Sequence, residues 1–220
     1  VDGPGTLGLS LKGKPVTGLV VYFHGMAQGA TVTEVDAKHK AFVEPLLRAG
    51  YAVVSADAGG DAFGNEASRE DYRRLIQAAE HKYGVATQAF VAESMGALPA
   101  LALLSQGSRI KGMVGISPMM GIPANLRSVK VVADAWNGNV PDSADPMSWP
   151  PSAFAGRTFR LYVSGGDGVI PPGARAADFA QRFGPVATVQ IVGCSGAHAA
   201  GDCFDGNGVV HWLAGLPKTG

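Results

Sequence analysis

A serine, an aspartate and a histidine, far apart in this 220-residue chain but each at or just after the end of a short β-rich run, are the side chains best suited to do chemistry together. Ser94 ends Phe90-Val91-Ala92-Glu93, has small residues two places before and after it (Ala92, Gly96), and is followed at once by the helix-forming run Ala97 to Leu104. A sharp passage from strand to helix presses the backbone together around its central residue, so both flanking places must be small. The hydroxyl then sits exposed at a helix start, where backbone N–H groups and the helix dipole favour a developing negative charge. A short motif of this kind is weak evidence in a chain with 31 glycines. Gly193-Cys194-Ser195-Gly196-Ala197 is a near match, but no helix-forming run follows it.

A nucleophilic serine needs a base, and the base needs a carboxylate to orient it. Asp167 lies in Gly165-Gly166-Asp167-Gly168, just after the run Phe159 to Ser164. His198 lies in the loop after the run Thr188 to Val192. In a parallel sheet the C-terminal ends of all strands share one edge, which would bring Ser94, Asp167 and His198 together. Their rivals are His211, in the apolar helical run Val209 to Leu213, and Asp202 and Asp205, close to His198 in sequence. Asp57 and Asp61 are read as loop-shaping residues, His24 as a structural hydrogen-bonding group, and His39 and His81 as solvated positions on helices. Glu93 is expected to be buried and hydrogen-bonded, with no role assigned.

The elements that must position these residues alternate as in a mostly parallel sheet covered by helices on both faces. Strands are expected at 6–11 (an edge), 19–23, 51–56, 89–92, 113–116, 159–164 and 188–192. Helices are expected over 33–48, with Val35, Phe42, Val43, Leu46 and Leu47 inward, over 68–83 capped by Ser68, and over 97–106. Further helices are expected over 123–136, over 172–183 with prolines in its first turn, and around 209–213. Length favours a single domain over 1–220. Residues 118–156 break the rhythm and are read as an elaborated crossover or small cap, with Met119, Met120, Trp136 and Trp149 looking exposed. Of these, Met119, Trp136 and Trp149 are candidate substrate-binding residues that would supply apolar wall; the alternative, open for each of the four, is packing into the core.

The set Ala92-Glu93-Ser94-Met95-Gly96, His24-Gly25-Met26, Gly165-Gly166-Asp167 with Val169-Ile170-Pro171, and Gly196-Ala197-His198 resembles the α/β-hydrolase superfamily. It departs from that pattern in having Ala92 where glycine is usual. The order serine, acid, histidine is that of the superfamily. The resemblance implies an α/β-hydrolase fold and an oxyanion hole made by the backbone N–H groups of Met26 and Met95, with the two methionine side chains as a soft apolar floor.

Composition excludes several other classes. Eighteen basic and eighteen acidic residues cancel, so neither nucleic acid nor an anionic membrane is indicated as a partner. No apolar run reaches the eighteen residues of a membrane-spanning helix. Val1 and the loop-like Asp2-Gly3-Pro4-Gly5 are compatible with a cleaved signal peptide. Cys194 and Cys203 are either free thiols of a cytoplasmic protein or a disulfide around His198; the disulfide and an extracytoplasmic location are the expectation. Two cysteines and one histidine fall short of a metal site. The expected activity is serine-dependent hydrolysis of a small or polymeric carboxylic ester through an acyl-enzyme, with no metal or organic cofactor. Thioesterase, peptidase and acyltransferase activities, or a non-catalytic binding role on the same scaffold, are the alternatives. Residue types specify no oligomeric state.

Overall fold

The computed structural model describes residues 5–107 and 109–216; the Asp2-Gly3-Pro4 stretch read as loop lies outside them. The strands are β1 (Thr6–Leu9), β2 (Gly18–Phe23), β3 (Tyr51–Ala56), β4 (Thr87–Glu93), β5 (Gly112–Ile116), β6 (Thr158–Ser164) and β7 (Thr188–Cys194). They form one sheet in the order β1-β3-β2-β4-β5-β6-β7. β1 pairs antiparallel with β3, and each remaining neighbour pair is parallel. The helices are α1 (Val32–Val35), α2 (Ala37–Arg48), α3 (Glu66–Tyr83), α4 (Ala97–Ser105), α5 (Ala124–Arg127), α6 (Lys130–Ala135), α7 (Ala176–Phe183) and α8 (Gly206–Ala214).

The continuous apolar runs are explained by burial on both faces. Along β2, Leu19, Val21 and Phe23 join one core with residues of α3, α4 and α7. Val20 and Tyr22 join the opposite core with Phe42, Val43 and Leu46 of α2 and Val209 and Leu213 of α8. A third apolar cluster caps the C-terminal edge of the sheet: Phe63, Met95, Met119 and Ile170 follow β3, β4, β5 and β6, and Ile122, Val132 and Ala144 pack with them.

Several boundaries differ from the sequence reading, each for a local reason. The helix expected over 33–48 is broken at Asp36, whose extended backbone (φ −130°, ψ 170°) lets its carboxylate cap α2 by accepting from the His39 N–H at 3.0 Å. Val35, expected inward, is left 68% exposed. Asn65, not Ser68, caps α3, accepting from the Ser68 N–H at 2.9 Å. The helix expected over 123–136 splits into α5 and α6. α7 starts at Ala176 rather than near Pro172, because Asp178 turns back to accept from Gly173 N and Arg175 N. Met119 and Met120, which look exposed in the sequence with core packing as the alternative, are buried.

Candidate active site

Ser94 follows β4 in a single 3₁₀ turn that leads directly into α4. Its φ of 50° puts a non-glycine residue in the left-handed region, the strain expected of a sharp strand-to-helix turn. Gly96 explains the need for a small neighbour: a Cβ there would lie 2.6 Å from the His24 carbonyl oxygen and closer still to that of Phe23. The turn therefore packs directly on the backbone that leaves β2. Ala92, in place of the usual glycine, is fully buried within β4, beside Phe23 of β2 and Gly115 of β5.

The three residues meet. His198 Nε2 lies 2.9 Å from Ser94 Oγ, and His198 Nδ1 lies 2.7 Å from Asp167 Oδ2. The other oxygen of Asp167 accepts from the N–H groups of Val169 and Ile170 at 2.9 and 3.2 Å. Burial would raise the Asp167 carboxyl, but the His198 contact and these two backbone donors outweigh it, holding it below its ordinary 3.8. Asp167 is thus an ionised acceptor, and the tautomer that suits both contacts carries its proton on Nδ1 and leaves Nε2 free to accept from the serine hydroxyl.

The His198 loop is held by five sets of contacts. Cys194 and Cys203 are disulfide-bonded. Asp202 accepts from Ser195 N and Oγ at 2.6 and 2.8 Å. Ser164 Oγ donates to the Gly196 carbonyl, and Ser117 Oγ accepts from Ala199 N at 3.0 Å. Lys38 Nζ donates to the Ala199 carbonyl at 3.1 Å. The rivals are otherwise engaged: Asp205 caps α8 through Gly208 N at 2.8 Å, and Asp202 serves Ser195.

The turn after β2, where a Cβ at Gly25 would lie 3.5 Å from that of Ser94, is fixed residue by residue. Gly25 N donates to Gln28 Oε1 at 2.7 Å, Ala27 N to Asp61 Oδ1 at 2.6 Å, and Ala30 N to Asp57 Oδ1 at 2.7 Å. The N–H groups on either side of Met26 are therefore taken, in keeping with the loop-shaping role expected of Asp57 and Asp61. His24 is buried, with Nδ1 2.8 Å from the Gly25 carbonyl and Nε2 2.9 Å from that of Asp57, as befits a structural group. The methionine floor is corrected: Met95 is buried, but the Met26 side chain is 51% exposed. Trp136 packs with the cluster of Met95 and Met119 and donates to the Phe63 carbonyl at 3.3 Å. Trp149 belongs to a different cluster, its ring 5.9 Å from that of Phe154. A cavity of about 230 Å³ borders Asp167, Ile170 and Arg175; its lining includes neither Ser94 nor His198.

The sequence also carries a family signature over more than half its length: residues 18–148 match the family described as alpha/beta hydrolase fold. The chain belongs to the α/β-hydrolase family. A search of curated proteins returned no significant match. Solved structures resemble it over nearly its whole length at low identity. The fluorophosphonate-binding serine hydrolase FphF of Staphylococcus aureus is 14% identical, with a TM-score of 0.69 over 97% of this chain and 100% of that one. An esterase of Pyrococcus furiosus is 18% identical, with a TM-score of 0.64 over 90% and 80% of the two chains. Est1E of Butyrivibrio proteoclasticus is 16% identical, with a TM-score of 0.64 over 95% and 96%. At such identities the likeness carries the fold. No helix among the described residues is long and apolar enough to cross a membrane.

This α/β-hydrolase also contains a polar cluster around Glu93, which is buried and hydrogen-bonded as expected, with partners that neighbouring residues do not reveal. Glu93, beside the serine and 3% exposed, receives three hydrogen bonds: Tyr22 O–H and His39 Nε2 at 2.8 Å each on Oε2, and Gln28 Nε2 at 3.1 Å on Oε1. His39 Nδ1 faces Asp36 Oδ1 at 2.8 Å. His39 was expected in solvent but is 1% exposed. The signal for this was present, since His39, Phe42, Val43 and Leu46 stand at i, i+3, i+4 and i+7, one face of α2.

Proposed function

We propose that the chain is a serine hydrolase of carboxylic esters. Ser94 attacks the carbonyl while His198 Nε2 takes its proton, and Asp167 holds the imidazole and stabilises its charged form. His198 then protonates the leaving alcohol, and a water activated by the same nitrogen releases the acid from the acyl-enzyme. The developing oxyanion is received by the N–H groups of Met95 and Met26; loss of one such donor typically costs about a hundred- to a thousandfold in rate. This chemistry requires no metal or organic cofactor.

The observation that carries the reading is the unbroken line Ser94 Oγ, His198, Asp167, with both contacts under 3 Å. The substrate in this reading is a small ester or an accessible chain of a polymer, reached past a His198 side chain that is 19% exposed and a Ser94 that is 9% exposed. Met119 and Trp136, packed with Met95, form apolar wall on the acyl side, and residues 118–156 act as a small cap on one hydrolase domain. The Cys194–Cys203 bond supports an oxidising, extracytoplasmic location. Ser94→Ala should lower p-nitrophenyl ester hydrolysis more than about a thousandfold and abolish fluorophosphonate labelling. Undiminished turnover in that variant would refute the assignment, and a panel adding one thioester and one peptide ranks the leaving groups.

A further inference from the structure

The buried cluster around Glu93 joins the two halves of the site. Met95 follows Glu93 by two residues, and Met26 follows Gly25 by one. The Gln28 amide bridges the two segments, accepting from Gly25 N at 2.7 Å and donating to Glu93 at 3.1 Å. Its orientation is forced, because a backbone N–H can only donate and a carboxylate can only accept. Glu93 is fixed in turn by Tyr22 and His39, and His39 by Asp36.

We propose that Gln28 and Glu93 are positioning residues that hold the Gly25-Met26 turn against the serine turn, and that the charged His39 behind them keeps this bridge in place. The proposal rests on the serine-hydrolase reading, in which Met26 N and Met95 N share one oxyanion. Both His39 ring nitrogens face carboxylates, an arrangement satisfied only by the imidazolium, in which both donate. Burial disfavours its charge, but Glu93 and Asp36 outweigh that and raise it above its ordinary 6.5. The groups around the His39 ring are Glu93 from β4, Tyr22 from β2, the uncharged ring of Phe204 at 4.8 Å, and Asp36 from the N-cap of α2. Lys38, on α2, sits over that phenyl ring, 4.6 Å from its centre, and donates to Ala199 O. When His39 loses its proton, one of the two carboxylates loses its donor, Glu93 is less firmly held, and the bridge to Gly25 loosens.

The test is steady-state hydrolysis of p-nitrophenyl acetate from pH 5 to 10 by the wild type, Gln28→Ala, Gln28→Glu, Glu93→Gln and the double variant Gln28→Ala/Glu93→Gln, with thermal melting of each. Gln28 is partly exposed, so its variants should fold. Gln28→Ala should lower kcat about 10- to 100-fold with KM within about threefold, the signature of a displaced oxyanion donor rather than lost binding. Gln28→Glu should be no better, because it sets a second carboxylate against Glu93. The double variant should fall no more than about twofold below the worse single one, since both cut the same bridge. The wild type should lose kcat on the alkaline side as His39 deprotonates, and Gln28→Ala should lack that limb. A Gln28→Ala enzyme within about twofold of wild-type kcat, losses that multiply, or an identical alkaline limb would overturn the proposal while the hydrolase reading stands. If Glu93→Gln does not fold, Gln28→Ala decides alone. A wild type that neither hydrolyses esters nor is labelled at Ser94 overturns both.

Discussion

Removing the Cys194–Cys203 bond separates two ways of holding the His198 imidazole. The bond spans nine positions with His198 inside, so it closes a loop of about ten residues. In the chain-entropy treatment this closure is worth about 2.7 kcal/mol at 25 °C. An unfolding entropy of about 2.1 cal/mol/K per residue over the 220 residues converts that into a fall in Tm of about 6 °C. Activity should respond differently. Asp202 still bridges to Ser195 across the same loop, and Ser164, Ser117 and Lys38 still hold Gly196 and Ala199 from outside it. At 25 °C we therefore expect kcat within about threefold of wild type, because the hydrogen bonds alone keep the imidazole near Ser94.

The assay is calorimetry and p-nitrophenyl ester kinetics on the oxidised protein, the dithiothreitol-reduced protein and Cys194→Ser/Cys203→Ala. Reduction keeps the side chains and removes only the covalent link, so agreement between the two perturbations isolates it from the packing lost at the fully buried Cys203. A Tm shift below about 1 °C would refute the loop-entropy argument. A fall in kcat at 25 °C beyond about thirtyfold would refute the claim that the hydrogen bonds suffice to place the imidazole.

Two further outcomes follow from the geometry. Gly96→Ala drives a Cβ against two backbone carbonyls, which cannot swing aside, and should cost about 1–3 kcal/mol in urea unfolding while also lowering kcat by displacing Ser94; a variant with wild-type stability and rate would contradict that packing. The Glu93–His39 pair sets a pH window for stability. Burial opposes the Glu93 charge, but its three donors hold the carboxyl below 4.5, so its contribution is complete above pH 4.5 and is lost as pH falls through the lowered value. His39 is raised above 6.5, so its share is complete below pH 6.5 and is lost as pH rises through the raised value. Unfolding free energy should therefore decline on both sides of the interval from 4.5 to 6.5, and Glu93→Gln should flatten both declines; equal pH profiles for the two proteins would contradict the pairing.

What the sequence made legible was whatever depends on neighbours in the chain. Ser94 directly follows β4, and Asp167 and His198 lie in the loops that leave β6 and β7; parallel pairing carries such strand ends to one edge. The small residue at 96 and the paired cysteines are equally local signals. What stayed hidden depends on partners far apart in sequence. Ser117 Oγ finds Ala199 N, and Glu93 finds His39 and Tyr22, across separations of 82, 54 and 71 residues. Val35 was misplaced because Asp36 prefers to cap the following helix rather than continue the preceding one. His39 is the instructive case. Its neighbours Lys38 and Lys40 suggest solvent, yet its spacing with Phe42, Val43 and Leu46 puts it on the inner face, where an imidazole between two aligned carboxylates can remain charged. A buried ion held this way is costly to assemble and costlier to break from one side, because loss of either partner strands the other without water. Its placement behind the residue that precedes Ser94 links the charge state of α2 to the geometry of the serine turn.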